Sequence, residues 1–191
     1  MVRKPRADSL RNRGLILAAA RQEIADRGPE VGMDDIAGRA EVAVGTVYRH
    51  FPTKEALVTA IVGESMEQVA DDAEHRLALC EAGEPARVQL VAFIEALITL
   101  SAENQAVLAA MEAIGASKGT DSAEARATSA IHRLIELGHD SSSIPRHVTV
   151  EDVYMLLATA PYAQPRLVRD RWLNLMLTGL MTESNIAGSR V

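Results

Sequence analysis

Between Val44 and Phe51 the chain reads VGTVYRHF. Thr46, Tyr48, Arg49 and His50 carry hydrogen-bonding groups or charge, and no carboxylate stands among them. In a helix, Val47 and Phe51 share one face. Gly45, Tyr48 and Arg49 lie opposite, with Thr46 and His50 on the flank. A surface of Thr, Tyr, Arg and His without acid suits phosphates, and Gly45 removes bulk where a backbone comes close to DNA. Nearby, Arg3, Lys4, Arg6, Arg11 and Arg13 crowd the first 13 residues. This is the chemistry of recognition. From the residues alone, a DNA reader and a plain helical hairpin are both open readings of the stretch.

Sets suited to catalysis are weaker. Gly63-Glu64-Ser65-Met66-Glu67 approaches the G-x-S-x-G nucleophile elbow, but it ends in Glu67 and lies within a helical pattern. His132 and His139 are seven apart, wider than the spacing of paired helical metal ligands. The single cysteine, Cys80, excludes an intrachain disulfide and a thiolate cluster. No Gly-rich phosphate loop follows a strand. The expectation is a protein that is not an enzyme and needs neither metal nor cofactor.

The elements that must position these groups are helical. The 191 residues include 31 alanines and only 3% aromatics, a composition that favours helix over sheet. Ile16, Leu17, Ala20 and Ile24 mark an amphipathic helix over about 10–27, stopped by Gly28 and Pro29. Short helices follow at 33–40 and up to about 51, joined by Glu41 to Val44. A long helix over 54–80 begins after Thr53, a good N-cap. Further helices are predicted at 86–101, 103–116, 121–138, 150–160 and 165–183. The fold class is all-α: an N-terminal three-helix bundle with a helix-turn-helix, joined by a long helix to a C-terminal helical domain. Expected boundaries are a disordered basic arm over 1–9, a DNA-binding domain over 10–56, and a ligand-binding and dimerisation domain over 57–191.

Charge divides along the same line. The net charge is −6, yet residues 1–54 sum to +3 and residues 55–191 to −9. A small basic end on an acidic body confines any nucleic-acid contact to that end. No apolar run approaches the length of a membrane span, so no membrane partner is expected and the cytoplasm is the predicted location.

Two stretches carry a family resemblance. MDDIAGRAEVAVGTVYRHFPTKEALV, Met33 to Val58, resembles the DNA-binding core of the TetR family of transcriptional regulators, and ILAAARQEIADRG, Ile16 to Gly28, resembles that family's first helix. The resemblance implies that Val44, Gly45 and Thr46 face base edges in the major groove. It places Tyr48, Arg49 and His50 nearer the phosphates and makes Lys54 a phosphate contact, with Val47 and Phe51 buried. Arg3, Lys4 and Arg6 would add a minor-groove arm. Two departures stand out: Glu41 where glycine is common, and Ala43 where Ser or Thr is frequent. The first predicts a positive φ without glycine, the second a recognition helix lacking a side-chain cap.

For the remainder, the resemblance implies a repressor released from its operator by a small molecule. Leu167, Val168, Trp172, Leu173, Leu175, Met176, Leu177, Leu180 and Met181 put apolar groups on nearly every side of the last helix. Such a helix is buried on two faces, which predicts a C₂ homodimer and a near-palindromic double-stranded DNA operator. Phe93, Leu97, Met111, His132, Tyr154, Met155, Tyr162 and Trp172 form the candidate lining for a small apolar effector. The competing reading is a helical binding protein or enzyme with a non-functional helix-turn-helix-like hairpin.

Overall fold

The computed structural model describes residues 5–115 and 121–182, and among these the chain is helical without strands. The helices are α1 (Pro5–Arg27), α2 (Met33–Arg39), α3 (Val44–His50), α4 (Lys54–Glu81), α5 (Ala86–Glu103), α6 (Gln105–Ala113), α7 (Asp121–Asp140), α8 (Val150–Ala158) and α9 (Arg166–Leu180). The all-α expectation holds. No single helix among the described residues is long and apolar enough to cross a membrane.

Helix α1 starts earlier than its apolar period indicated. Residues 5–9, expected in an irregular arm, form its first turns. Proline is tolerated in a first helical turn, and Asp8 sits where the helix dipole favours a carboxylate. Arg3 and Lys4 lie outside the described residues.

The chain forms two units. The first holds α1 to α3, α4 as far as Ser65, and α6; the second holds α4 from Met66, α5, α7, α8 and α9. This division differs from the expected boundary between residues 56 and 57. Leu57, Val58, Ile61 and Val62 of α4 are buried without joining the second unit's core, so the first unit extends two turns further along α4. Helix α6 packs against α1, which a purely sequential division cannot show.

In the first unit, Ile16, Leu17, Ala20 and Ile24 of α1 are buried together with Ile36, Ala37, Ala40, Val47 and Phe51. Helices of seven residues are unstable alone, so α2 and α3 depend on this core. The second unit's core includes Leu90, Phe93 and Ile94 of α5, Ile131 and Leu134 of α7, Leu156 of α8, and Leu173 and Leu177 of α9. Arg126 on α7 joins the second unit's part of α4, meeting Glu67, Asp71 and Glu74 at 2.7 Å each.

Candidate nucleic-acid interface

The turn that delivers α3 is built against its own residue preferences. Glu41 adopts φ +54, the left-handed conformation that favours glycine. Ala43 occupies the N-cap of α3 and supplies no side-chain cap. Both departures anticipated from the sequence are present. Three backbone hydrogen bonds still close the turn: Glu41 N–H to Gly38 O at 3.2 Å, Val42 N–H to Ala37 O at 3.1 Å, and Thr46 N–H to Ala43 O at 2.7 Å.

Helix α3 then sorts its side chains. Val47 is buried in the middle of the helix, and Phe51 is buried directly after it. Val44, Gly45, Tyr48 and Arg49 are exposed and Thr46 is half-buried. Tyr48 retains 47% of its surface. No acid stands in the helix, and Arg49 and His50 occupy its last turn. His50, the last residue of the helix, is half-buried: its Nε2 is buried and meets no hydrogen-bond partner, and the ring lies 6.3 Å from that of Phe51. Arg13, read as part of the basic cluster, stacks its guanidinium 4.8 Å from the Phe51 ring centre. That cation–π contact closes the C-terminal end of α3. Arg6 belongs to the first turns of α1.

Thr53 caps α4 as predicted, its hydroxyl accepting from the Ala56 N–H at 3.2 Å. Lys54 is half-buried, and its ammonium donates to the Pro29 carbonyl in the turn after α1. An ammonium carries three donors, so this bond leaves others for a phosphate.

The α1–α2 contact carries a polar network that the sequence reading missed. Glu23 is buried, at 6% exposure, and accepts from Arg39 Nε at 2.6 Å and from Arg27 at 3.1 Å. Arg39 also donates to Gln22 at 3.2 Å and to Asp26 at 2.8 Å. Arg27 pairs with Asp35 at 2.9 Å, and Asp35 accepts the Gly32 N–H at 3.1 Å at the start of α2. One signal was available: Glu23 lies seven residues from Ile16 and three from Ala20, on the apolar stripe.

The Arg27 hydrogen bond, joined by that of the Gly32 amide, holds the Asp35 carboxyl below its ordinary range. The Arg126 hydrogen bond does the same for Glu74. A carboxyl with a lower pKa folded than unfolded contributes stability above the unfolded value, and loses it as pH falls through the folded one. The melting temperature should therefore vary little with these two groups between pH 7 and pH 5 and drop below about pH 4. Asp35→Asn should flatten part of that drop in a pH series of thermal melts. An unchanged acid limb would contradict the Asp35 role.

Comparison with known proteins bears on the whole chain. Residues 16–61 match the family model for bacterial regulatory proteins of the tetR family. Residues 84–182, more than half of the chain, match that for the C-terminal domain of SbtR-like transcriptional regulators. A TetR transcription regulatory protein from Mycobacterium vanbaalenii is 30% identical, with a TM-score of 0.75 over 94% of this chain and 100% of that one. The chain belongs to the TetR family of transcriptional regulators. The TetR regulator SCO0520 of Streptomyces coelicolor is 28% identical, with a TM-score of 0.69 over 90% of this chain and 99% of that one. The HTH-type transcriptional regulator SAR0097 of Staphylococcus aureus is 35% identical over 79 residues, which span 40% of this chain and 41% of that protein. This TetR-family protein is thus a DNA-binding transcriptional regulator with an N-terminal helix-turn-helix.

The expected effector residues of this TetR-family chain fall in both units. Phe93 is in the second unit's core, and Leu97, Tyr162 and Trp172 pack against it. Tyr162 donates to the Leu157 carbonyl at 2.6 Å, and burial pushes its phenol pKa up. Met111 is buried on α6, in the other unit. His132, Tyr154 and Met155 are exposed, with Tyr154 bonded to Thr128. A polar cleft of about 170 Å³ within the second unit is lined by Glu95, Thr99, Arg166, Arg169, Asp170 and Asn174 with Ile98 and Leu173, none of them an expected effector residue. Among the described residues no group of His, Cys, Asp and Glu is arranged to hold a metal ion.

Proposed function

We propose that this regulator reads a near-palindromic double-stranded operator as a homodimer, represses transcription there, and lets go when a small apolar effector enters its second unit. The acid-free exposed face of α3, seated on buried Val47 and Phe51, carries the reading. In it Val44, Gly45 and Thr46 approach base edges, while Tyr48, Arg49, His50 and Lys54 lie toward the phosphates. Arg3, Lys4 and Arg6 supply further phosphate or minor-groove contacts ahead of the helix-turn-helix.

The dimer is supported by large apolar side chains left exposed in the single chain. Leu167, Val168, Leu175 and Met176 of α9 and Tyr154 and Met155 of α8 are exposed, although Leu173 and Leu177 of α9 are buried. Helix α9 therefore has a second apolar face, and paired α8 and α9 helices from two copies would form a four-helix interface. Helix α4 supports the regulatory reading, since its first half belongs to the reading unit and its second half to the other. An effector that displaced α4 would mis-space two reading heads on a fixed groove pitch. Phe93, Leu97, Tyr162 and Trp172 are the apolar residues best placed to contact it. The protein acts in the cytoplasm by binding, without catalysis.

Selection from a random duplex library followed by mobility shifts tests the reading. Thr46→Ala should change the preferred base at one position, a difference of about 1–3 kcal/mol. Lys54→Ala should weaken all duplexes alike and lower the salt slope by about 1. Library selection without a consensus, or a Lys54→Ala variant with wild-type affinity and salt slope, would refute it.

A further inference from the structure

Among the described residues Glu23 is the one buried charged side chain, and it lies 21 positions before the reading helix begins. Its partner uses an unusual share of its capacity. Arg39, the last residue of α2, directs Nε at Glu23, one terminal nitrogen at Gln22 and the other at Asp26, all on α1. A guanidinium is a rigid planar fork, so three contacts fix its plane. The other end of α2 is tied as well: Arg27 of α1 bridges the second Glu23 oxygen and Asp35.

Two ties four residues apart, about 6 Å along a helix axis, do what one cannot. A single tie lets a short helix pivot, whereas two fix its direction and its rotation about its own axis. Helix α2 packs against α3, so its orientation passes to the reading face. The hydrophobic contacts of Ile36 and Ala37 are non-directional and would accept small rotations that hydrogen bonds to a charged fork resist.

We infer that Glu23 and Arg39 are positioning residues for DNA reading: their ion pair sets the rotation of α2 against α1 and thereby the presentation of α3. The inference rests on α3 being the reading helix. Neither residue need touch DNA. Loss of the pair should harm discrimination between sequences, which depends on atomic register, more than attraction to the phosphate backbone.

The experiment uses the full chain and two probes: a duplex selected by the wild-type protein from a random library, and a non-cognate duplex of equal length. Arg39→Lys keeps the charge but replaces the three-nitrogen fork by a single ammonium. Glu23→Gln keeps the shape and removes the charge. Both should lower affinity for the selected duplex about tenfold and change non-cognate affinity less than twofold, measured well below each melting temperature. A third variant, Glu23→Leu with Arg39→Leu, exchanges the pair for apolar groups, a replacement folds often tolerate. It should melt close to the wild type and still lose discrimination.

A purely structural pair would lower the melting temperature while leaving the ratio of the two affinities intact. A wild-type ratio in folded Arg39→Lys or in the double-leucine variant therefore overturns the inference. Thr46→Ala serves as the separate control. If it leaves base preference unchanged, the assignment of α3 fails, whatever the Glu23 and Arg39 variants do.

Discussion

Leu175→Glu is expected to convert the regulator from a dimer to a monomer at micromolar concentration. Leu175 keeps 59% of its surface in the single chain, and Met176 beside it is exposed as well. In a two-fold interface the substitution enters twice, and each buried polar group without a partner costs about 2 kcal/mol or more. Two copies weaken association by about 4 kcal/mol, roughly a thousandfold. Operator binding falls with it, because linking two half-site readers raises the joint affinity by about a hundredfold or more. Sedimentation and mobility shifts on the selected duplex read both effects. Wild-type protein that sediments as a monomer, or a Leu175→Glu variant that remains a dimer, would refute the interface. Leu173→Glu is the contrasting variant: Leu173 is buried in its own chain, so its loss should unfold the second unit.

The second large effect sets stability against binding at a single position. Gly45 lies in the first turn of α3, and a Cβ built there meets nothing within 4 Å. Alanine is a better helix former than glycine by about 1 kcal/mol, so Gly45→Ala should raise the melting temperature. If α3 enters the major groove, the same space is filled by DNA. Gly45→Leu should then weaken operator binding by about 1–3 kcal/mol, roughly fivefold to more than a hundredfold, by overpacking the interface. Melts and titrations would move in opposite directions. Stabilised Gly45 variants that bind the selected duplex as tightly as the wild type would remove this residue from the groove.

The helices were legible because their apolar side chains repeat every three and four residues, and because Gly28, Pro29, Thr53 and Pro52 punctuate them. The turn at Glu41 was legible too, since the family resemblance marks a glycine position and the chain holds a glutamate there. What escaped was pairing at a distance. Arg39 and Glu23 are 16 residues apart, and several acids lie at similar separations; no periodicity says which of them meets the arginine. The same holds for α6. Its apolar residues Val107, Ala110 and Met111 demand burial, yet nothing in their spacing distinguishes α1 from the neighbouring α5 as the surface that buries them. Met111 and Phe93 accordingly belong to different units, which their spacing alone does not show. The start of α1 was misplaced for the opposite reason: its first turns are polar, so hydrophobic periodicity is silent while helix propensity decides.

The turn before α3 leaves room for engineering. Glu41 occupies left-handed backbone that costs a side-chain-bearing residue about 1–2 kcal/mol, and Ala43 forgoes a cap worth about 1 kcal/mol. Natural chains are rarely tuned to their stability maximum, and here two untuned positions fall within three residues of each other. Neither bears the groups proposed to read bases. A hardened version of this regulator, suited to use as a heat-tolerant genetic switch, could start from Glu41→Gly and Ala43→Ser and leave Thr46, Tyr48 and Arg49 as they are.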